Sequence, residues 1–238
     1  MRLNKYISET GVCSRREADA AIEAGRVTLN GSVATLGMQV NDGDTVLLDG
    51  RDLKVKPNAV YIALNKPVGI TCTTELDIKD NIVDFIGHRE RIFPIGRLDK
   101  DSEGLILLTN DGDIVNRILR AENAHDKEYV VTVDRPVTEL FLEAMTAGVR
   151  IMGTVTQPCR TKRLGPCVFG ITLTQGLNRQ IRRMCSAFGY QVRRLQRIRI
   201  MHIQLGSLKI GQWRDLSPAE TRQLLAQCVE PSSAKAAE

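Results

Sequence analysis

The run Ile95-Gly96-Arg97-Leu98-Asp99-Lys100-Asp101-Ser102-Glu103-Gly104 sets five charged side chains between two glycines. It directly precedes the apolar segment Gly104-Leu105-Ile106-Leu107-Leu108-Thr109-Asn110. A loop in that place exposes a side chain while the buried strand after it holds the backbone still. Neighbouring side chains of an extended loop point to opposite sides, so Leu98 turns away from Arg97 and Asp99. A solvated loop would account for the same charges. A different stretch argues against that simple explanation. Residues 144–214 carry thirteen Lys and Arg and no Asp or Glu. A carboxylate facing a pocket built from that stretch has its ionised form favoured by the nearby guanidinium groups. It can then serve as a base or a nucleophile.

The basic stretch also points to a partner. The whole chain of 238 residues has a net charge of only +5, with 33 basic and 28 acidic residues. Residues 1–59 hold eight of each sign, and residues 60–143 hold ten basic and sixteen acidic. Concentrating positive charge in one segment fits a polyanion, whose phosphates release counterions when Lys and Arg approach. Most of these residues are Arg, including Arg160, Arg163, Arg179, Arg182, Arg183, Arg193, Arg194, Arg197 and Arg199. The planar fork of Arg suits phosphate and stacks on bases. Nucleic acid is the expected partner, and only 4% aromatic residues argue against a broad stacking platform.

Other chemistries lose ground. The six cysteines form no CxxC pair and the three histidines show no ligand spacing, so reduced thiols are expected and no structural zinc. A magnesium-dependent phosphodiesterase using Asp99 and Asp101 is a rival, weakened because Lys100 lies between them and no third acidic motif accompanies them. No apolar run approaches the roughly 18–20 residues of a membrane span, and MRLNKYISET has no apolar signal core. A cytoplasmic protein is expected.

The elements that must position these residues follow from periodicity and caps. Leu3, Tyr6 and Ile7 share a helical face over residues 2–9, and Gly11 stops that helix. Ser14 with Glu17 forms a capping box for a second helix ending at Gly25. Asn30-Gly31 marks a hairpin, and VATLGMQV and DTVLLDG read as further strands. We place a helix–helix–strands domain at 1–52, a linker at 53–59 containing Pro57, a larger domain at 60–230, and a flexible tail at 231–238. In the larger domain VYIALNKP, GLILLTN, KEYVVTVDRP, CVFGITLTQG and YQVRRLQRIRI read as strands, and residues 91–103 as a loop. Asp113 is expected to cap a helix IVNRILR; TELFLEAMTAG and RQIRRMCSAFG are further helices, and Ser217 caps a last one. Without regular βαβ spacing, the class is α+β with a mainly antiparallel sheet.

Two resemblances sharpen this reading. RLNKYISETGVCSRREADAAIEAGRVTLNG resembles the small RNA-binding domain of bacterial ribosomal small-subunit protein four. That resemblance implies docking on structured RNA through the helix pair, where Arg2, Lys5, Arg15 and Arg16 lie. The ordered motifs Asn65-Lys66-Pro67-Val68-Gly69, GRLDKDSEGLILLTNDG and GLNRQIRRM resemble the ribosomal RNA pseudouridine synthases of the RsuA type. RLNKYISE, SRREAD, ALNKPVGI, DNIVDF and FPIGRLDKDS are similar to its large-subunit synthase F branch, the RluF-like members. Residues 231–238 are short beside the long basic C-terminal extension of some F-type members, so a different affinity for ribosomal RNA is expected.

The resemblance implies an isomerase for a uridine in large-subunit (23S) ribosomal RNA. Such a rearrangement has no net redox change and no group donor, so no cofactor or metal is expected, and a monomer is expected. A transfer-RNA anticodon uridine, or a non-catalytic RNA-binding assembly factor, are the alternatives. It puts the catalytic aspartate on Asp99, a residue filling the gap left by the extruded nucleotide on Arg97, and a base-stacking tyrosine on Tyr129. It puts the aspartate's partner on Arg182, an apolar wall on Ile181 and a mainly structural role on Lys66. Arg179, Arg183, Arg193 and Arg194 are expected to hold RNA. Asp99 then has three open routes: taking the C2′ proton, attacking C1′, or adding to C6.

Overall fold

The computed structural model describes residues 1–53, 58–119 and 125–228. Most of the expected linker, including Pro57, and the whole tail at 231–238 lie outside the described residues. The chain forms two compact units. One comprises Met1–Val60 with His88–Ile92 and Asn110–Gly112, the other Tyr61–Gly87, Phe93–Thr109 and Asp113–Glu238.

The first unit pairs helices α1 (Leu3–Glu9) and α2 (Arg15–Glu23) with strands β1 (Val27–Leu29), β2 (Ser32–Val33), β3 (Val46–Leu48) and β4 (Arg51–Asp52). Its sheet runs β2-β1-β3-β4, all antiparallel. Ser14 and Glu17 make the expected capping box, each side chain bonding the other's backbone N–H. Leu3, Ile7, Ala18, Ile22, Val27 and Val46 meet in the core. The strand expected over VATLGMQV is cut short after Val33. Gly37 takes φ 86°, and Leu36 and Met38 face solvent, so the apolar alternation there marks a turn and not a buried face.

The second unit opens with β5 (Tyr61–Lys66), α3 (Ile82–Ile86), β6 (Phe93–Ile95), β7 (Glu103–Thr109) and α4 (Gly112–Leu119). Next come β8 (Lys127–Val133), α5 (Glu139–Ala147), the hairpin β9 (Arg150–Ile151) and β10 (Thr154–Val155), β11 (Arg160–Gly165) and β12 (Val168–Leu173). It closes with α6 (Gln180–Ala187), β13 (Val192–Ile200), β14 (Ile203–Gln204), β15 (Trp213–Asp215) and α7 (Pro218–Gln227). The main sheet is ordered β11-β12-β8-β13-β7-β5-β15, with β14 on β13 and β6 on β7. Among the described strands only β13 and β7 run parallel, as an α+β fold with a mainly antiparallel sheet requires.

All seven residues of β7 are buried, which is why that apolar run tolerates no polar interruption. Leu105, Leu107, Ile114, Ile118, Ile203 and Leu224 anchor one core between sheet and helices. Two details differ from expectation. Residues 93–95 are strand and not loop, because an edge position accepts Pro94, which has no N–H to give. Helix α4 starts at Gly112, so Asp113 sits in its first turn, where a carboxylate complements the helix dipole.

Candidate active site

The Asp99 loop joins β6 to β7 and is pinned on its backbone. Leu98 N–H donates to Cys72 Sγ at 3.4 Å, Ser102 N–H to the Asp99 carbonyl at 3.0 Å, and Gly69 N–H to the Lys100 carbonyl at 2.8 Å. Leu98 is buried as the sequence alternation demands, while the Asp99 carboxylate keeps 27% of its surface open. Behind this loop Lys66 is fully buried, and its ammonium donates to the carbonyls of Pro67 and Ile70, both at 2.8 Å. Those two bonds fold the 67–70 turn whose Gly69 holds the catalytic-loop candidate. Burial pushes the Lys66 amine below its ordinary value. Lys66 therefore stands behind the site and supports the loop.

The facing wall is sheet. Tyr129 on β8 is 8% exposed and stands opposite Ile171 of β12 and Arg197 of β13. Lys127, two residues earlier, stands opposite Leu173 and Ile200. Its ammonium donates to the carbonyls of His125 at 3.1 Å and Thr174 at 3.0 Å. Burial, and then the Arg197 charge, hold its amine below the usual lysine range. The third side is the segment leading into α6, with Arg179 at the N-cap and Ile181 in the first turn, 4% exposed.

These walls enclose a cavity of about 600 Å³ lined by Arg97, Asp99, Tyr129, Arg179, Ile181 and Arg197 among others. That volume lies within the range that holds a small ligand. Five residues singled out from sequence thus line one cavity: Asp99, Arg97, Tyr129, Ile181 and Arg179. Arg97 is exposed.

The arginine beside the aspartate differs from expectation. Arg179 lies 3.8 Å from the Asp99 carboxylate, while Arg182 turns to Asp101 and Ser102. Arg182 donates to the Asp101 carbonyl at 2.8 Å and to Ser102 Oγ at 3.1 Å, and its Nε lies 3.5 Å from the Asp101 carboxylate. Arg179 grips that carboxylate with two bonds of 3.1 and 3.0 Å. The bond from Arg179 holds the Asp101 carboxyl below the usual range. The physical reason lies in the backbone. Arg179 takes φ 50°, a left-handed conformation costly for a side-chain-bearing residue, and this places its guanidinium at the loop. Arg182, on the helix proper, is only 14% exposed and braces the loop from below. Asp101 with two guanidinium groups around it is a poor magnesium ligand, and no group of three His, Cys, Asp or Glu suited to a metal occurs among the described residues.

Other arginines sit outside this cluster. Arg183 is exposed and donates to the Asn178 carbonyl at 3.1 Å. Arg193 is exposed, and Arg194 donates to Glu103 at 2.7 Å. In the first unit Arg2, Arg15 and Arg16 are exposed, and Lys5 lies 3.5 Å from Glu9. All six cysteines are free thiols, with Cys72, Cys159, Cys185 and Cys228 buried. Burial pushes Cys159 up to about 11 and Cys185 up to about 12, which leaves both unreactive. Sequence reasoning gave no individual role to Ser102, Lys127 or Arg197, although Ser102 lies in a quoted motif, Lys127 opens the strand KEYVVTVDRP and Arg197 lies in the basic stretch.

Comparisons with known proteins identify the family. Residues 60–187 match the RNA pseudouridylate synthase family, and residues 1–46 match the S4 domain. The dual-specificity RNA pseudouridine synthase RluF of Escherichia coli strain K12 is 58% identical over 237 residues, covering 99% of this chain and 81% of that protein. The ribosomal large subunit pseudouridine synthase B of Bacillus subtilis strain 168 is 37% identical over 94% of this chain and 96% of its own. A crystal structure of a pseudouridylate synthase superposes with a TM-score of 0.69 at 31% identity, covering 94% of this chain and 99% of that one. With a catalytic-family match over more than half its length and such relatives across nearly all of it, the chain belongs to the RsuA-type RNA pseudouridine synthases, as an RluF-like member with an N-terminal S4 domain.

Proposed function

We propose that this isomerase converts a specific uridine of large-subunit (23S) ribosomal RNA to pseudouridine, with Asp99 as the catalytic carboxylate. The observation that carries the reading is the Asp99 carboxylate at the wall of a cavity that Tyr129 and Ile181 also line. A uridine inside a helix is out of reach of such a cavity, so the nucleotide must swing out, at a cost of a few kcal/mol. Tyr129 offers the flat surface for its base, and Arg97 fills the vacancy. Arg179 is the cation next to Asp99, and Arg182 fixes the backbone on which Asp99 stands. The N1–C1′ bond then breaks, the base turns, and C5 joins C1′. Exposed Arg2, Arg15, Arg16, Arg183 and Arg193, with Lys5 and Arg194, hold the RNA through its phosphates.

On this reading residues 1–52 are the RNA-docking domain and 60–230 the catalytic domain, working as a monomer in the cytoplasm. The large-subunit substrate takes its weight from the name of the Bacillus subtilis relative. The word dual-specificity in the name of the Escherichia coli relative favours a second RNA, for which a transfer-RNA anticodon uridine is the candidate. Mapping pseudouridines in total RNA from cells with and without the gene tests both. Loss of a large-subunit position supports the proposal. Loss confined to transfer RNA replaces the substrate, and no change at all refutes it.

A further inference from the structure

Arg197 is the buried cation of the cavity wall that the scheme above leaves unused. It is 4% exposed, on a strand in the middle of the sheet, with Tyr129 opposite on one side and Gly104 on the other. Directly opposed residues of paired strands share a face, so the guanidinium and the tyrosine ring look the same way. The backbone is shaped for this placement. A Cβ on Gly104 would stand 2.3 Å from the Arg197 carbonyl oxygen, so only glycine lets β7 come this close. The register slips between Arg197 and Arg199, and such bulges re-aim side chains beside functional sites.

Among the described residues the charge has no ion-pair partner. Arg197 Nε donates to the Leu105 carbonyl at 2.7 Å, and Nη2 is buried with no hydrogen-bond partner among them. The neighbouring acids are already engaged. Arg194 takes Glu103, Arg199 takes Glu128, and Arg160 takes Asp126. Lys127, on the same wall, adds a like charge. Leaving a charged donor buried and unpaired costs more than a made hydrogen bond returns, so the arrangement calls for an acceptor supplied from outside the chain.

We propose that the Arg197 guanidinium donates to a carbonyl oxygen, O2 or O4, of the uracil base lodged against Tyr129 and Ile181. The inference rests on the proposed function and names how the base is held. A phosphate is a poorer fit. Arg97 and half-exposed Arg179 meet the backbone at the rim, whereas a side chain 4% exposed is out of its reach. When N1–C1′ breaks, the bonding pair stays on uracil and spreads over its carbonyl oxygens. A fixed guanidinium there meets the charge as it develops. C5 then bonds C1′, C5 loses its proton, and N1 gains one, so the isomerisation balances.

The test uses full-length protein and 23S rRNA transcripts carrying 5-tritiated uridine, or 2-thiouridine or 4-thiouridine in its place. Single-turnover product is read by tritium release for the first and, for the thio transcripts, by nucleoside chromatography with fragment-ion mass spectrometry, which separates the C-nucleoside from the N-nucleoside of equal mass. Arg197→Met is expected to slow product formation roughly 100-fold with RNA affinity within about twofold of wild type. Sulfur accepts a hydrogen bond poorly, so one thio substitution should slow the wild type and leave Arg197→Met no slower than before. Equal thio effects in both proteins, or full activity of Arg197→Met, overturn the proposal. If Arg197→Met does not fold, the wild-type thio series carries the test, and the absence of a thio effect at both O2 and O4 overturns the proposal. Should wild type release no tritium from the oxygen transcript, the proposed function has failed and not this inference.

Discussion

Two arginines share one acid beside the catalytic candidate, and they do different things. Arg179 lies 3.8 Å from the Asp99 carboxylate and holds the Asp101 side chain, whereas Arg182 is bonded to the backbone and hydroxyl of the loop. Arg182→Ala should therefore remove two bonds that brace the loop and cost about 2 kcal/mol, a fall of roughly 4–8 °C in the thermal midpoint. Arg179 is 42% exposed and carries no core. Arg179→Ala should leave the midpoint within roughly 2 °C and lower turnover by 10- to 100-fold, since it removes the charge next to Asp99. Calorimetry and single-turnover assays on the pair of variants separate the two roles; the reverse pattern would assign them the other way round. The glycine-bounded loop and its acid are legible in the sequence, because composition and a following apolar run mark them. Which arginine of Asn178-Arg179-Gln180-Ile181-Arg182 meets the acid is not, because the answer hangs on the left-handed φ of Arg179. The unpartnered Nη2 of Arg197 is equally invisible, since it depends on which neighbours the other arginines have claimed.

At the scale of elements, α2 and α7 announced themselves through their caps. Ser217 and Glu220 close a capping box on α7, and Thr138 caps α5. Edge strands did not: β11 is exposed or half-exposed along its whole length, so no alternation of apolar residues betrays it. Strand β15 is three residues long and is recognised only by its pairing with β5. That strand is tied to α7 by Arg214, which grips Glu220 with two bonds of 2.7 Å. The pair pulls the Glu220 carboxyl down to about 2. A folded-state value below the unfolded one stabilises at all pH above the unfolded value of about 4.3 and is lost as pH falls toward 2. Acid unfolding of wild type should steepen in that window, while Glu220→Gln should start about 1–2 kcal/mol less stable and lose that part of the slope. Unchanged acid denaturation would show the tie to be idle. Gly104→Ala should be more damaging, by about 3 kcal/mol or more, because it sets a methyl into the Arg197 backbone at a φ of 103°. A soluble, fully active Gly104→Ala protein would contradict the close approach of β7 and β13.

Across the whole chain, charge is sorted by task. The first 59 residues are neutral overall, yet Arg2, Arg15 and Arg16 are exposed around the starts of α1 and α2. Arginines on phosphates make affinity fall with salt, by nearly one unit of logarithmic slope per contact on duplex nucleic acid. The Arg15→Ala/Arg16→Ala protein should bind ribosomal RNA more weakly, with a salt slope shallower by roughly one to two, and turn over bound RNA at the wild-type rate. An unchanged slope would remove these residues from the RNA surface. All of it depends on the carboxylate of Asp99. The most direct measurement is single-turnover tritium release from 5-tritiated ribosomal RNA by wild type and Asp99→Asn, with RNA affinity measured in parallel. The account predicts that Asp99→Asn binds as wild type does and releases no tritium; release at the wild-type rate by the variant would contradict it.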